Sequence, residues 1–173
     1  MEGYHLSVVH PETLHDYTPT GLARKLIGGD GFTCYAANYP KTIPSRGMGA
    51  PTLTNDERLR STLFTIYPTL VASQAGILLV SLNIFPLNAA QIQVKWMLSI
   101  YGDDQQQDTI LARIMHRDKV NQEDWEKLER MQFALGSDNA LSSPLADDDY
   151  EGTTRDFQLW LAAQDRNNLV LSD

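Results

Sequence analysis

The sequence predicts an α+β domain in which an antiparallel sheet is followed by helices. Three observations carry this. Ile92, Val94, Trp96, Leu98 and Ile100 alternate with Gln91, Gln93, Lys95, Met97 and Ser99, the two-residue period of a strand with one buried and one largely polar face. Residues 61–70 and 76–85 are apolar runs with β-branched residues, separated by Ser73 and Gln74, and read as a hairpin. Beyond residue 121 the apolar period changes to that of a helix. Successive strands on short connections imply antiparallel pairing, and the concave face of such a sheet can hold a ligand.

The elements follow in chain order. The first thirty residues are polar and mixed, with His5, His10 and His15 five apart and Pro11 and Pro19 as interruptions, so a short helix ending near residues 8–11 is expected. Gly28-Gly29-Asp30-Gly31 is a turn, and 32–38 is a strand rich in aromatic and small residues. Pro40, Pro44, Gly47, Gly49 and Pro51 make 40–55 a long loop of the kind that covers a site. The hairpin and the strand over 91–100 come next. Asn121 then offers an N-cap, Gln122, Glu123 and Asp124 fill a first turn suited to the helix dipole, and Trp125, Leu128, Gln132 and Leu135 recur until Gly136 stops the helix. An acidic loop over 137–150 follows, and Thr154 can cap a final helix with Phe157, Trp160 and Leu161 as its apolar stripe.

Composition narrows the function. The chain has 173 residues, enough for one domain with a core, and 42% hydrophobic against 21% charged residues is ordinary for a globular protein. Fourteen basic residues against 22 acidic ones give a net charge of −8, which repels a phosphate backbone, so nucleic acid is not expected as a partner. The longest apolar stretch, 75–85, is broken by Ser81 and Asn83 and falls short of the roughly 20 residues of a membrane helix. One cysteine, Cys34, excludes a disulfide framework or a cysteine-ligated cluster built from these residues alone, and with no visible signal peptide the expected compartment is the cytoplasm.

His5 and His10 are candidate metal ligands, because imidazoles are the commonest ones. On an unbroken helix a spacing of five sets them about 140° apart, so they converge only if the helix breaks between them, as Val8-Val9 and Pro11 allow. The plainer alternative is a polar helix with solvated histidines. Asp124 likewise has two readings, a first-turn acid accepting from free backbone N–H groups, or a carboxylate that flanks the apolar stripe and looks into the cavity beneath. Gln132 reads as an amide at the core edge, His15 as a surface residue near Asp16, His116 as a charge at a helix C-terminus, and Cys34 as a small buried hydrophobe. Asp147-Asp148-Asp149 reads as a solvated loop or a loose site for a hard cation.

Glu2-Gly3-Tyr4-His5-Leu6-Ser7-Val8-Val9-His10-Pro11 resembles the iron-binding segment in the catalytic domain of Rieske non-haem iron oxygenases, where an acid, two residues, a histidine, four residues and a second histidine precede proline. Gln122 to Gln132, with Ala134-Leu135-Gly136-Ser137, resembles the same family's long helix carrying the third ligand, and Asp156-Phe157-Gln158-Leu159-Trp160 its final helix. The resemblance spans nearly the whole chain, as the catalytic half of a ring-hydroxylating alpha subunit. It implies a helix-grip (START/Bet v 1-like) antiparallel sheet with a long C-terminal helix, begun inside the family's first catalytic helix and without its first strand.

The same resemblance implies that His5, His10 and Asp124 form a facial two-histidine, one-carboxylate set for Fe(II), with positions left open for dioxygen and substrate. Glu2 falls where the family has an acid bridging to the Rieske cluster of the neighbouring subunit, and would relay electrons and orient the histidines. The implied function is hydroxylation or demethylation of a small aromatic or amine substrate, with a two-iron two-sulfur Rieske cluster and an NAD(P)H reductase supplied by a partner and the chain assembled as a homo-oligomer, a trimer in the family. Pocket residues are expected from Phe64, Ile66, Leu78, Val80, Leu82 and the 40–55 loop. The rival expectation is a ligand-binding module or an inactive remnant of the same fold, and bound iron separates the two.

Overall fold

The computed structural model describes residues 3, 5–43, 50–102, 106–137 and 144–170. Helix α1 (His5–Val9) leads through a 3-10 turn into strands β1 (Ala23–Gly29) and β2 (Phe32–Asn38), the short helix α2 (Asn55–Arg58), and strands β3 (Arg60–Ile66), β4 (Leu70–Ala75), β5 (Leu78–Asn88) and β6 (Gln91–Ile100). Two long helices, α3 (Gln107–Leu135) and α4 (Asp148–Val170), complete the order. The six strands form one antiparallel meander in the order β1-β2-β3-β4-β5-β6. This is the α+β architecture read from the sequence.

The strand over 91–100 matches its expected bounds, and that over 32–38 does too. The expected hairpin over 61–70 and 76–85 is instead three strands, because the chain reverses at Pro68 and again at Gly76 rather than at Ser73 and Gln74, which lie inside β4. Pro68 has no N–H for a ladder, and Gly76, at φ +57°, takes up the left-handed conformation that a tight reversal needs. β1 went unread because its register slips between Lys25 and Ile27, which erases the alternation. Gly28 and Gly29 end that strand, and the turn is confined to Asp30 and Gly31.

Directly paired residues on neighbouring strands share a face. One face therefore carries Lys25, Thr33, Tyr35, Leu63, Ser73, Val80 and Leu98, and the other Ile27, Cys34, Phe64, Ala72 and Ser81. The first is the helix-covered face: Leu6 of α1 is buried with Tyr35, Ala37 and Leu63, and Leu14 packs beside them. α4 lies along β1 and β2. There Tyr67, Phe157 and Trp160 form an aromatic cluster with ring centroids 5.2 to 6.1 Å apart. On β6 the expected buried face is only half realised: Trp96, Leu98 and Ile100 are half-buried, whereas Ile92 and Val94 are exposed where the β5–β6 hairpin runs past the end of β4.

Both long helices begin earlier than the sequence suggested. Residues 107–120 contain neither Gly nor Pro and continue the helix upstream, so Asn121 is interior and not an N-cap, Asp124 is not in a first turn, and His116 is not at a C-terminus. Gly136 does end the helix, its N–H bonded to the Gln132 carbonyl at 3.2 Å. The acidic residues read as a loop form the first turn of α4, where Asp148, Asp149 and Glu151 favour the positive end of the dipole; Thr154 is interior. The stripe of Trp125, Leu128 and Leu135 is not a core stripe, and Gln132 is not at a core edge, because every residue of α3 from 125 onward is exposed. No described helix is long and apolar enough to cross a membrane.

Candidate metal centre

α1 is five residues long and ends at Val9, so His10 lies just beyond its last turn. Pro11 cannot extend a helix, and the chain instead folds back, the N–H groups of Leu14 and His15 donating to the His10 carbonyl at 3.2 and 2.9 Å. This is the break that convergence requires. His5 and His10 stand edge to face, with ring centroids 5.4 Å apart. His15 is exposed, and its Nδ1 lies 2.7 Å from the Ser7 carbonyl oxygen, within hydrogen-bond distance.

The third group arrives from α3, whose Val120 is buried while Asp124, one turn on, reaches the histidines. Asp124 Oδ1 lies 3.2 Å from Nε2 of His10. One donor atom from each of His5, His10 and Asp124 falls within 4.8 Å of the others, the only such metal-ligand grouping among the described residues. Two donors about 2.1 Å from a common ion and at right angles to each other are about 3 Å apart, so the His10–Asp124 spacing suits a shared ion. Two imidazoles and a carboxylate are the mixed nitrogen and oxygen set favoured by ferrous iron. The aspartate triplet is no rival: Asp148 and Asp149 pair with Lys25, Arg24 and Arg155.

Burial pushes the Asp124 carboxyl upward, but its bond to His10 and the charges of His10, His5 and Arg117 outweigh this and hold it below the usual carboxylate range. Glu123 is held low in the same way, burial being outweighed by donors from Thr13, Glu12 and His10. Its Oε2 lies 3.1 Å from His10 Nδ1 and accepts the Thr13 hydroxyl, while Oε1 accepts the Glu12 N–H at 3.0 Å. Lys119 ties Glu12 to the same helix at 2.7 Å. Glu123, read from sequence only as first-turn charge, is thus a neighbour of the site; the one available signal was its place beside Asp124.

Glu2 lies outside the described residues, as do 44–49 of the expected covering loop. Of the expected pocket residues, Leu78, Val80 and Leu82 share the face of Leu63 and Tyr35 on which α1 packs. Phe64 and Ile66 do not. Their register turns them to the other face, where they line a shallow groove with Ile27, Phe32 and Cys34. Cys34 is half-buried rather than buried, and desolvation raises its thiol pKa.

A two-histidine, one-carboxylate grouping is the donor set used by one class of mononuclear metal centre. The sequence model of the ring hydroxylating alpha subunit (catalytic domain) family matches residues 1–165, and the chain belongs to that family. Two solved structures share its fold, both of the quaternary ammonium Rieske monooxygenase CntA. One, with the inhibitor MMV12, superposes at a TM-score of 0.69 with 17% identity, covering 94% of this chain and 43% of that one. The other, with the substrate gamma-butyrobetaine, gives 0.60 at 17% identity, covering 94% and 41%. The chain therefore spans about two fifths of the length of these relatives. No curated protein matches it.

Proposed function

We propose that this chain is the catalytic domain of a non-haem iron oxygenase in which His5, His10 and Asp124 hold Fe(II). The convergence of these three side chains, drawn from the two sides of the sheet in sequence, carries the reading. Bound iron supplies a site at which dioxygen is activated; a hydroxylation then takes up one substrate C–H bond, one dioxygen, two electrons and two protons, and yields one C–O–H group and one water. Asp124, kept anionic by its histidine and arginine neighbours, is ready to ligate at neutral pH without first losing a proton. The half-buried Leu78, Val80 and Leu82 offer an apolar wall for the body of a small aromatic or amine substrate, and the amine substrate of CntA supports including that class.

The electrons come from outside these residues, through a Rieske cluster and an NAD(P)H reductase carried by partners. One cysteine cannot build that cluster here. Glu2, three residues before His5 in the sequence, would be the bridging acid, and a homo-oligomer would bring in the donor's cluster. The chain works in the cytoplasm.

The test is metal content after anaerobic loading. Wild type should retain about one Fe(II) per chain, and His5→Ala, His10→Ala and Asp124→Ala should each lose it while His116→Ala keeps it. Equal retention by the Asp124 variant removes that residue from the site. Substrate-class ligands that bind without any iron would instead mark a binding module.

A further inference from the structure

We propose that Glu123 is a positioning residue for His10, whose Nδ1 hydrogen it accepts so that Nε2 stays free to ligate on the side of Asp124; this rests on the metal reading above. Both nitrogens of the one imidazole are engaged by consecutive residues of α3: Nδ1 lies 3.1 Å from Glu123 Oε2, and Nε2 lies 3.2 Å from Asp124 Oδ1. Neighbours on a helix diverge by about 100°, so the two carboxylates meet opposite edges of the ring instead of competing for one. His10 is only 1% exposed, which leaves water little part in choosing its tautomer.

The carboxylate is itself fixed. Oε2 accepts the Thr13 hydroxyl and Oε1 the Glu12 N–H, so three donors from residues 10–13 hold both of its oxygens. A carboxylate held this way sets the tautomer and the orientation of the ring. The segment has a further tie to α3 through Glu12 and Lys119, so removing Glu123 does not by itself release it.

Co(II) binding to the metal-free chain provides the test, read by titration and by the visible ligand-field bands. Glu123→Gln should raise the Co(II) Kd about tenfold and Glu123→Ala about a hundredfold, both with shifted bands. Thr13→Val removes only a contact to Glu123; it should lower the urea midpoint of the metal-free protein but leave the Kd within about threefold. A Glu123→Gln Kd within threefold of wild type, or a Thr13→Val Kd that rises as far as that of Glu123→Gln, overturns the inference and makes Glu123 a strut. A wild-type chain that takes up no Co(II) overturns the metal reading and this inference with it, whereas wild-type binding abolished by His10→Ala but unchanged in Glu123→Gln overturns this inference alone.

Discussion

The Asp156 carboxylate lies 2.9 Å from the Lys25 ammonium, joining residues 131 apart in the chain and seating α4 on β1. Its second oxygen accepts the buried Thr33 hydroxyl at 2.8 Å. Asp156→Ala should cost about 1–3 kcal/mol in urea unfolding, because it takes the acceptor from the buried Thr33 hydroxyl and leaves the Lys25 ammonium with Asp148 alone. Burial lowers the Lys25 pKa, but the bonds to Asp156 and Asp148 and their charges outweigh it, and the net shift is upward. A raised folded pKa stabilises fully below the unfolded value and loses its contribution as pH climbs through the folded one. The wild-type advantage over the variant should be complete at about pH 9 and shrink above about pH 10.4.

Gly28 sits where a Cβ would run into that same carboxylate. Gly28→Ala should therefore unseat α4 and destabilise by about 1–3 kcal/mol. Gly21→Ala, where a Cβ meets nothing within 4 Å, is the control. Equal urea midpoints for the two variants would show that the α4 contact tolerates the added methyl.

The two halves of α3 should differ in stability. Val120 is buried, but Trp125 is 64% and Phe133 88% exposed, and every residue of α3 beyond 124 is exposed. Amide exchange should be slow across 110–121 and fast from 125 to 135. Val120→Ala should cost about 2 kcal/mol and Phe133→Ser less than about 0.5 kcal/mol. Slow exchange throughout the helix would show that the outer half is covered in solution.

Iron-loaded chain with NADH and a reductase should give no product unless a Rieske protein is added, because its single cysteine cannot hold the cluster that passes electrons on. Hydrogen peroxide, which carries both oxygen and oxidising equivalents, should give slow product without any donor. Turnover with NADH and reductase alone would contradict this account of electron supply.

How much of this was legible in the sequence varies with the kind of signal. β6 showed itself because half-burial imposes a two-residue alternation, and the break after Val9 showed itself because Pro11 fixes it. β1 and β4 stayed hidden: a bulge at Leu26 disrupts the first, and the polar Ser73 and Gln74 of the second imitate a turn. Asn121 misled because a good capping residue is still tolerated inside a helix whose flanks favour it. His5 and His10 were visible by spacing, Asp124 chiefly by resemblance. Glu123 needed coordinates, since its partners are set by how the turn at 11–13 meets α3.

Every strand of the meander pairs with the strand next to it in sequence, so each pairing is a short-range closure of the kind that forms quickly. The contact of His10 with Glu123 spans 113 residues and can close only once the sheet between them exists. In a refolding experiment, fluorescence and far-ultraviolet signals from the sheet should therefore recover before Co(II) can bind. The donor set is a late product of folding, and an ion that joins its two sides acts as a cross-link across a long loop of the chain.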